Sequence, residues 1–377
     1  MGNPTPVVII ADHKTTPEGS AIQQFERVAS FDHIHAAAAM PDLHPGRGYP
    51  VGAAFFSESH LYPALIGGDI GCGMALWQTD LAARKHSADK LLRRIGDLES
   101  PLGDDWQVAI TARLGMGDIP YRHALGTIGG GNHFAELQAV DTVYAPELLP
   151  EHFNAKCLQL LVHSGSRGLG QAVLRAHVDR FGHAGLPENT PEAAAYLAEH
   201  DNALAFARAN RRLIAERMLA RWSADGTCLL DVHHNFLQSV QIDNQTGWLH
   251  RKGATPSDCG MVVIPGSRGD YSYLVKPAAD CTHSLNSLAH GAGRKWQRGE
   301  CKGRLSHKYS ADSLRRTAFG SVVVCEDKAL IFEEAPQAYK SIDGVIAAMA
   351  NAGLIEPVAR LKPVLTYKTG GNCGDAA

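Results

Sequence analysis

Five histidine-bearing motifs share one design, in which an apolar run is followed by a polar cluster and then by glycine or asparagine. They are PDLHPGRGYPVG (41–52), GTIGGGNHFAE (126–136), LVHSGSRGLG (161–170), LLDVHHNF (229–236) and LAHGAGR (288–294). A sixth motif, GGDIGCGM (67–74), places Asp69 and Cys72 three residues apart in a glycine frame. One histidine at a strand end is usually a satisfied structural residue, but a whole set with a neighbouring aspartate and cysteine favours a metal site.

The residue types in these motifs also suggest which metals would bind. Imidazole, thiolate and carboxylate form a ligand set of mixed softness, which suits Mn, Fe, Co or Zn better than Mg or Ca. Glycines around Asp69 and Cys72 let the backbone turn so that both side chains can point at one centre. Asn132, Asn235 and Glu136 are candidates to form hydrogen bonds with the metal ligands and so fix their orientation.

Two glycine-serine loops and one basic segment indicate phosphate chemistry. The loops 163–171 and 263–273 follow apolar runs and offer backbone N–H groups and hydroxyls to phosphate oxygens, although each alone is equally consistent with a plain turn. The basic segment, residues 294–316, contains two acids, Glu300 and Asp312, and eight cations, an excess of six positive charges. The eight cations are Arg294, Lys295, Arg298, Lys302, Arg304, Lys308, Arg315 and Arg316. In a chain of net charge −3, this excess favours a polyanion path on which Trp296 and Tyr309 can stack bases, with a solvated basic face as the alternative.

Two further motifs are interpreted as carrying no chemistry. KSIDG (340–344) is one residue too long for the lysine motif of nucleotidyltransferases, and it is predicted to be an ordinary surface segment. The glycines of GTIGGGNHF lack the lysine and hydroxyl residue of a P-loop.

The composition is that of a soluble globular protein. The 377 residues are 45% hydrophobic and 20% charged, enough for one large domain or two ordinary ones. Neither a signal-peptide pattern nor an apolar run of membrane length occurs, so a cytoplasmic location is expected. The eight cysteines never form C-x-x-C pairs, which argues against a zinc ribbon and predicts mostly reduced packing residues.

The pattern of elements favours an α+β fold over a doubly wound one. Residues 191–222 are predicted to form a helix, because a proline opens the segment and apolar residues recur every three or four positions. Short strands are predicted within 50–80, and LQLLVH, CLLDVHH, MVVIPG and SVVVCE are predicted to be buried strands. Residues 335–368 are expected to form a helix, a turn and a final strand. No regular alternation of strand and helix appears.

The order of these motifs resembles the RtcB family of GTP-dependent RNA ligases, which join RNA 3′-phosphate or 2′,3′-cyclic phosphate ends to 5′-hydroxyl ends. Motifs spread over nearly the whole chain carry the resemblance: PDLHPGRGYPVG, GGDIGCGM, GTIGGGNHFAE, LVHSGSRGLG, HNF, HRKGAT, IPGSRGDYSY, HGAGR, EEAPQAYKSIDGV and VARLKP. The resemblance implies an α+β fold with mixed sheets and surrounding helices. It also implies a single catalytic domain over 1–368, followed by a frayed tail, 369–377.

The resemblance further implies a role for individual residues. The ligands of two Mn²⁺ ions would be Asp69, Cys72, His133, His163 and His234, with Cys72 as a bridge. His290 would attack the α-phosphate of GTP and form a histidine–GMP intermediate. The guanylate would be surrounded by Asn132, Glu136, Asn235, Gly266, Ser267, Ser272, Gly291, Ala292, Gly293 and Lys368. The RNA contacts would be Arg167, Arg294, Lys295 and Arg298.

Several departures from the family pattern bear on the choice of substrate. Gln297 and Arg268 replace the usual serine and methionine, the chain is a few dozen residues shorter than typical members, and it continues past Lys368. The compact form resembles a bacterial group coupled to a release factor, which suggests repair of cleaved RNA beside a release-factor-like partner. Two alternatives remain open: a metal-dependent cyclic phosphodiesterase that does not ligate, and a catalytically idle RNA-end binder.

Overall fold

The computed structural model describes residues 5–113, 115, 120–242 and 244–369 of the chain. The tail predicted to fray lies outside these ranges, apart from Thr369 at the end of the last strand. Among the described residues, none of the helices combines the length and the apolar character that a membrane crossing requires.

Seventeen strands run through the described part of the chain. In chain order, β1 to β17 are Val7–Ile9, Ile34–His44, Val51–Ser57, His60–Leu61, Gly73–Ala82, Phe134–Val143, Cys157–Ser164, Leu186–Pro187, Gly226–His233, Asn235–Ile242, Gln245–Lys252, Ala254–Pro256, Val262–Pro265, Ser272–Pro277, Ser287–Ala289, Val322–Cys325 and Ile355–Thr369.

Nine α-helices occur in the same described ranges. In chain order, α1 to α9 are Gly19–Ala29, Pro63–Ile66, Ala88–Ile95, Asp104–Arg113, Gly168–Phe181, Pro191–Ala220, Arg298–Leu305, Lys328–Glu333 and Ile342–Asn351.

Two mixed sheets form the framework. The smaller has the strand order β1-β2-β3-β11-β10, and the larger has the order β13-β14-β17-β6-β7-β5-β9, with β16 parallel to β17. Most pairs are antiparallel, and β1 with β2 is the parallel pair of the smaller sheet. The prediction of an α+β fold with mixed sheets is confirmed.

Most of the predicted elements occur where the sequence places them. The helix α6 covers most of 191–222, and it begins where the Thr190 side chain accepts a hydrogen bond from the Ala193 N–H at 3.2 Å. Within the region 50–80 that was predicted to form short strands, residues 61–66 (LYPALI) are not a strand throughout, since β4 ends at Leu61 and Pro63 opens the short helix α2. CLLDVHH forms β9 as predicted, but this strand lies at the sheet edge, so its first half, including Cys228, is exposed.

Four adjacent strands of the larger sheet bring the histidine motifs together. The strands β6 and β5 begin, and β7 and β9 end, at the same edge, because neighbours in the order β6-β7-β5-β9 are antiparallel. Along this edge Gly73 lies opposite both Ser164 and His233, while His163 lies opposite Phe134. Motifs separated by up to 170 residues in the chain therefore meet at one place.

A short ribbon brings the fifth motif to the same edge. Ala254 of β12 pairs with Ala289 of β15, and the Ala254 N–H donates to the His234 carbonyl at 3.1 Å. His290 follows β15 directly and therefore lies beside His234.

Apolar layers on both faces of the larger sheet stabilise this edge. On one face, Ala75 and Val162 pack with Ile214 and Met218 of α6. On the other face, alternate residues such as Met74 pack in a separate buried cluster. Because side chains of a strand point alternately to its two faces, burial of both faces fixes the register of the strands that end at the site.

Candidate functional site

Cys72 lies at the centre of a cluster of potential ligand atoms. Its Sγ lies 3.1 Å from the His163 Nε2 and 3.3 Å from the His133 Nε2. The His133 Nε2 in turn lies 2.8 Å from the Asp69 Oδ2. The ring centroid of His234 lies 5.1 Å from that of His163. All five predicted ligands are therefore brought together.

These ligands form two groups that share the cysteine. One group is Asp69, Cys72 and His133, the other is Cys72, His163 and His234, and within each group the ligand atoms lie within 4.8 Å of one another. Nitrogen, sulfur and carboxylate oxygen in these groups form a donor set that would suit transition-metal ions, and Cys72 belongs to both groups.

Main-chain carbonyls fix the tautomers of two ligand histidines. The His133 Nδ1 lies 3.1 Å from the Ile128 oxygen, and the His163 Nδ1 lies 3.2 Å from the Asn132 oxygen. A neutral ring whose Nδ1–H donates to such a carbonyl keeps the lone pair of Nε2 for a metal. The His234 Nδ1 is buried without a hydrogen-bond partner among the described residues, as expected where an imidazole serves a ligand rather than the protein.

The cluster favours the protonation states that metal binding needs, except at the thiol. Burial raises the pKa of Asp69, but the charge and hydrogen bond of His133 outweigh it and lower that pKa to about 2. Burial lowers the pKa of His163 and of His234 well below the usual value, so both rings stay neutral. Burial and the Asp69 charge raise the pKa of Cys72 well above the usual value. Metal binding would therefore have to displace the thiol proton.

His290 lies next to this cluster and is oriented by a buried aspartate. Its ring centroid lies 4.8 Å from that of His234. The His290 Nδ1 and backbone N lie 2.7 Å and 3.1 Å from the Asp42 Oδ2. With Nδ1–H donated to the carboxylate, Nε2 is the nitrogen left with a free lone pair.

Asp42 and Arg211 are site residues that the sequence analysis missed. Asp42 belongs to a motif selected for its histidine, His44, whose ring lies 6.4 Å from that of His290. Arg211 is fully buried in α6 and donates to the Gly71 oxygen at 2.7 Å and the Ser164 oxygen at 2.9 Å. The Asp42 carboxylate within a glycine-proline motif was an available signal, whereas nothing in the repetitive pattern of α6 marks Arg211.

The first histidine of the HH pair, His233, has a structural role. The His233 Nδ1 lies 2.8 Å from the Gly71 oxygen and 3.2 Å from an Arg211 nitrogen. Burial and the Arg211 charge lower the pKa of His233 to about 3. His233 therefore supports the backbone beside Cys72, and the predicted metal ligand is the next residue, His234.

The residues predicted to surround a guanylate come from five segments. Gln138 donates to both Glu136 and Ser272 at 2.7 Å, which links β6 to β14. A Cβ on Gly291 would lie 3.2 Å from the Pro265 oxygen, so the loop 291–293 lies against the turn that contains Gly266 and Ser267. Glu136 and Ser272 are thus hydrogen-bonded within the protein, and two further predicted contacts are engaged at the ligand cluster.

Those two contacts are the asparagines. The Asn132 main-chain oxygen accepts from His163, as described above. The Asn235 Nδ2 donates to the Asp69 carbonyl at 3.2 Å, and its Oδ1 accepts from the Gly253 N–H at 2.6 Å. Both asparagines therefore orient the ligand cluster as the structure stands.

Glu136 and Lys368 are both buried ionisable groups, and the charge of Lys368 acts on Glu136. Burial raises the pKa of Glu136 to about 7, although Thr366, Gln138 and Lys368 act in the opposite direction. Burial lowers the pKa of Lys368 to about 8 against the charge of Glu334, whose Oε2 lies 3.8 Å from the Lys368 Nζ. Both groups therefore titrate near neutral pH.

The four predicted RNA contacts differ in their surroundings. Arg167 is 7% exposed, and its guanidinium occupies the space that a Cβ on Gly129 would need. The Arg294 guanidinium lies 3.1 Å from Glu334 and 3.0 Å from the Tyr339 hydroxyl. Arg298 is exposed but lies 3.7 Å from the same glutamate, and Lys295 is exposed.

Other cations of the basic segment are already paired within the protein. Arg304 lies 3.2 Å from Glu300, Arg315 lies 2.6 Å from Asp312, and Arg316 lies 2.6 Å from Asp89. Within the part of the chain that the structure describes, the exposed cations without an ion pair in this segment are Lys295, Lys302 and Lys308.

Two positions that depart from the family pattern differ in what they do. The buried Arg268 guanidinium donates to three main-chain oxygens, those of Ile331 at 2.6 Å, Leu314 at 2.7 Å and Glu334 at 2.8 Å. Gln297 is the residue before α7 and makes no side-chain capping hydrogen bond. Arg268 thus ties together segments that support the basic segment.

The interpretation of KSIDG as a surface segment is wrong. The Lys340 side chain is 8% exposed, and its amine donates to the Pro41 oxygen at 2.9 Å and the Leu43 oxygen at 3.0 Å. The helix α9 begins only at Ile342, so Lys340 lies in the turn before it.

The chain is similar to known proteins over nearly its whole length. Residues 24–111 and 119–369 match the family model described as tRNA-splicing ligase RtcB. The chain is 57% identical over 366 residues to the RNA-splicing ligase RtcB2 of Escherichia coli, covering 97% of this chain and 96% of the relative. It is 30% identical to the RNA-splicing ligase RtcB of Mycobacterium tuberculosis, covering 88% of this chain and 96% of the relative.

The last alignment also bears on chain length. It runs over 419 residues, more than the 377 of this chain, so the relative contains insertions that this chain lacks. The tRNA-splicing ligase RtcB of Archaeoglobus fulgidus is 29% identical over 92% of this chain and 90% of the relative. Because the family model matches most of the chain, the chain belongs to the RtcB family.

Proposed function

We propose that the protein is an RNA ligase that joins RNA 3′-phosphate or 2′,3′-cyclic phosphate ends to 5′-hydroxyl ends through a histidine–GMP intermediate. The relatives are named RNA-splicing or tRNA-splicing ligases. The observation that supports the mechanism best is the geometry of His290: its Nδ1 lies 2.7 Å from Asp42, and its ring lies 4.8 Å from that of His234.

The arrangement of His290 suits nucleophilic attack on a phosphate. Nε2 forms a bond to the α-phosphorus of GTP, the bond from that phosphorus to the bridging oxygen breaks, and pyrophosphate leaves with the electron pair. The positive charge that develops on the ring is stabilised by the Asp42 carboxylate at Nδ1. A buried aspartate behind a neutral imidazole is thus what this step requires.

The later steps return His290 to its starting state. An oxygen of the RNA 3′-phosphate attacks the phosphorus of the bound GMP, and the P–N bond breaks with its electron pair returning to Nε2. The 5′-hydroxyl then attacks the RNA phosphorus and loses its proton, and GMP leaves. A cyclic phosphate is first opened by water to the 3′-phosphate.

The residues that would hold two Mn²⁺ ions are the two groups that share Cys72. The orphaned His234 Nδ1 and the mixed donor set fit transition metals, and other divalent transition metals fit equally. When bound, such a pair neutralises phosphate charge. The protein's own part is to orient the rings through Ile128 and Asn132.

The GTP site would lie between β6, β17 and the loop after His290. A buried carboxylate such as Glu136 is a suitable acceptor for the N–H donors on the edge of guanine. The Lys368 ammonium offers a donor and a positive charge to the nucleotide.

The proposed setting is repair of cleaved RNA in the cytoplasm, beside a release-factor-like protein. The similarity to a relative named RtcB2 over nearly the full chain supports the assignment to the compact group. Ligation of cleaved tRNA fragments with and without such a partner tests this setting.

The mechanism is tested by incubating the protein with α-labelled GTP and Mn²⁺. We expect an acid-labile label on His290 in the wild type and none in His290→Ala, because only Nε2 of this residue forms the P–N bond. The matched control is His283→Ala, which removes an exposed histidine seven residues earlier and should label normally.

The same variants separate the alternatives. Cyclic-phosphate opening that survives in His290→Ala, with no label in the wild type, would identify a phosphodiesterase instead. Salt-dependent RNA binding without any turnover of GTP or RNA ends would identify an idle RNA-end binder.

A further inference from the structure

Lys340 is a buried lysine whose amine is used on main-chain carbonyls. Its Nζ donates to the Pro41 oxygen at 2.9 Å, the Leu43 oxygen at 3.0 Å and the Thr15 oxygen at 3.4 Å. A lysine amine has three N–H donors, so these contacts can use all of them. The amine is therefore committed to the backbone and not available to a ligand.

Two of these carbonyls belong to the neighbours of Asp42 in the chain. Asp42 is fully buried, its Oδ2 contacts His290, and its Oδ1 accepts no hydrogen bond among the described residues. Among the residues that the structure describes, no side chain other than His290 forms a hydrogen bond with the Asp42 carboxylate. The orientation of this carboxylate therefore depends on the backbone of β2. The Lys340 amine forms hydrogen bonds with the carbonyls of this backbone immediately before and after Asp42.

The backbone of the same lysine holds the loop that follows His290. The Lys340 N–H donates to the Gly293 oxygen at 3.0 Å, and the Lys295 N–H donates to the Ala338 oxygen at 2.7 Å. A Cβ on Gly293 would clash with the main-chain oxygen of Asp42, so the loop packs directly against β2. The segment before α9 thus closes the loop onto the strand.

The charge of Lys340 also complements that of Asp42. Burial lowers the pKa of Lys340, and the negative charges of Asp42 and Glu18 act in the opposite direction. A buried carboxylate without a nearby cation is costly, and Lys340 supplies one without competing for the oxygen that contacts His290.

We propose that Lys340 is a positioning residue for His290, because one side chain and one backbone N–H hold both the strand with Asp42 and the loop after the histidine. This inference rests on the proposed function, since it assigns Lys340 a part in loading His290 with GMP. The Lys340 amine is used on main-chain oxygens and so would act on His290 through Asp42.

Lys340→Met tests the proposal, since it removes the N–H donors with little change in length. Misplacement of a reacting group costs about 100-fold, so the single-turnover rate of His290 labelling at saturating GTP should fall by that factor. The dissociation constant of GTP should change by less than about threefold, because Lys340 does not touch the nucleotide. The exposed Lys276 of β14 supplies the matched control, and Lys276→Met should label at the wild-type rate.

A rate at saturating GTP that equals that of the wild type would overturn the proposal, as would a loss confined to GTP affinity. Cyclic-phosphate opening needs the metal ligands and not His290, so it should persist in Lys340→Met. If it is lost together with the labelling, Lys340 merely supports the fold and the proposal is wrong.

A double-mutant cycle shows whether Lys340 acts through Asp42. Lys340→Met combined with Asp42→Asn should be no slower than Asp42→Asn alone, to within about twofold, because the effects of residues that act through one another are not additive. If the two losses multiply, Lys340 acts independently of Asp42 and the proposal fails.

A readout without GTP separates this inference from the proposed function. In ¹⁵N-histidine spectra, the Nδ1–H signal of His290, assigned by its loss in His290→Ala, should weaken or shift in both Lys340→Met and Asp42→Asn. If the wild type takes up no label, the proposed function fails, and this signal still decides the position of His290. An unchanged signal in Lys340→Met overturns the inference.

A second pair of variants covers the case in which Lys340→Met does not fold. Lys340→Arg keeps several N–H donors and the charge, whereas Lys340→Gln keeps only a short amide. Arginine should support faster labelling of His290 than glutamine, and the reverse order would overturn the proposal.

Discussion

The ligand cluster and the basic segment differ in how the fold treats their polar groups. In the cluster, Cys72, His133, His163 and His234 are buried, and main-chain carbonyls or neighbouring ligands fix the rings. In the basic segment, the arginines pair with acids of the protein, whereas Lys295, Lys302 and Lys308 are exposed and lack an ion pair among the described residues. The paired arginines are Arg294, Arg298, Arg304, Arg315 and Arg316.

This difference separates groups that must be placed precisely from groups that need only the correct charge. Groups that must meet a metal or a phosphorus atom within a fraction of an ångström lie at the ends of sheet strands whose register is fixed by two apolar layers. Groups that attract a polyanion need only the correct sign of charge, so exposed and mobile side chains suffice. Changes in the first region should therefore alter chemistry, and changes in the second should alter affinity and its dependence on salt.

The largest effect is expected from Cys72→Ala, because this residue belongs to both ligand groups. Loss of a single residue that supports a metal ligand costs up to about 100-fold, so loss of the shared ligand itself should cost at least about 1,000-fold in His290 labelling. Elemental analysis should show that the variant no longer retains two ions. Cys228→Ala, at an exposed cysteine, is the control, and an active metal-free Cys72→Ala would contradict the comparison.

An intermediate effect is expected when a change of pH alters the ionisation of Glu136 and with it the free energy of unfolding. Because burial raises its folded-state pKa to about 7, the folded protein keeps a proton that the unfolded chain releases near pH 4.5. Folding therefore takes up a proton, and the free energy of unfolding contributed by Glu136 falls as pH rises between these values. The slope is at most about 1.4 kcal/mol per pH unit.

Denaturant titrations at several pH values check this prediction in the metal-free protein. Glu136→Gln should be less sensitive to rising pH than the wild type, whereas Glu300→Gln at the surface should match it. The buried His163 and His234 act in the opposite direction, because their lowered pKa values remove stability as pH falls. The difference between wild type and Glu136→Gln isolates the carboxylate, and identical curves would refute its raised pKa.

The smallest effect is expected from Lys302→Ala combined with Lys308→Ala. Removing one phosphate contact to a single strand lowers the slope of log affinity against log salt by about 0.7, so the slope should fall by about 1.4 with modest loss of affinity. Labelling of His290 should not change. Arg304→Ala, on the same helix as Lys302 but paired with Glu300, should alter the slope less, and an equal or larger change would show that pairing within the protein does not decide RNA contact.

Particular residues show how far sequence reasoning reached. The residue pattern selected the histidine motifs, the resemblance to the RtcB family selected the five ligand positions and His290 within them, and the structure brings all six together. The contacts of Asp42 with His290 and of Lys340 with Leu43 could not be predicted, since the two partners lie 248 and 297 residues apart in the chain. Contacts over such separations leave no local pattern in the chain.

The sequence by itself determined the elements and the chemical types available: apolar runs that become strands, the long helix α6, and imidazoles, a thiol and a carboxylate beside glycine turns. These follow from short-range physics, because periodicity, turn residues and ligand chemistry act within a few residues. Only the tertiary structure decided which groups meet. Antiparallel pairing placed four strand ends at one edge, and packing of β2 against the loop after His290 joined Asp42, Lys340 and the histidine. The tertiary structure also decided which cations of the basic segment form ion pairs, because the acids that pair with its arginines come from distant elements as well as from the segment itself.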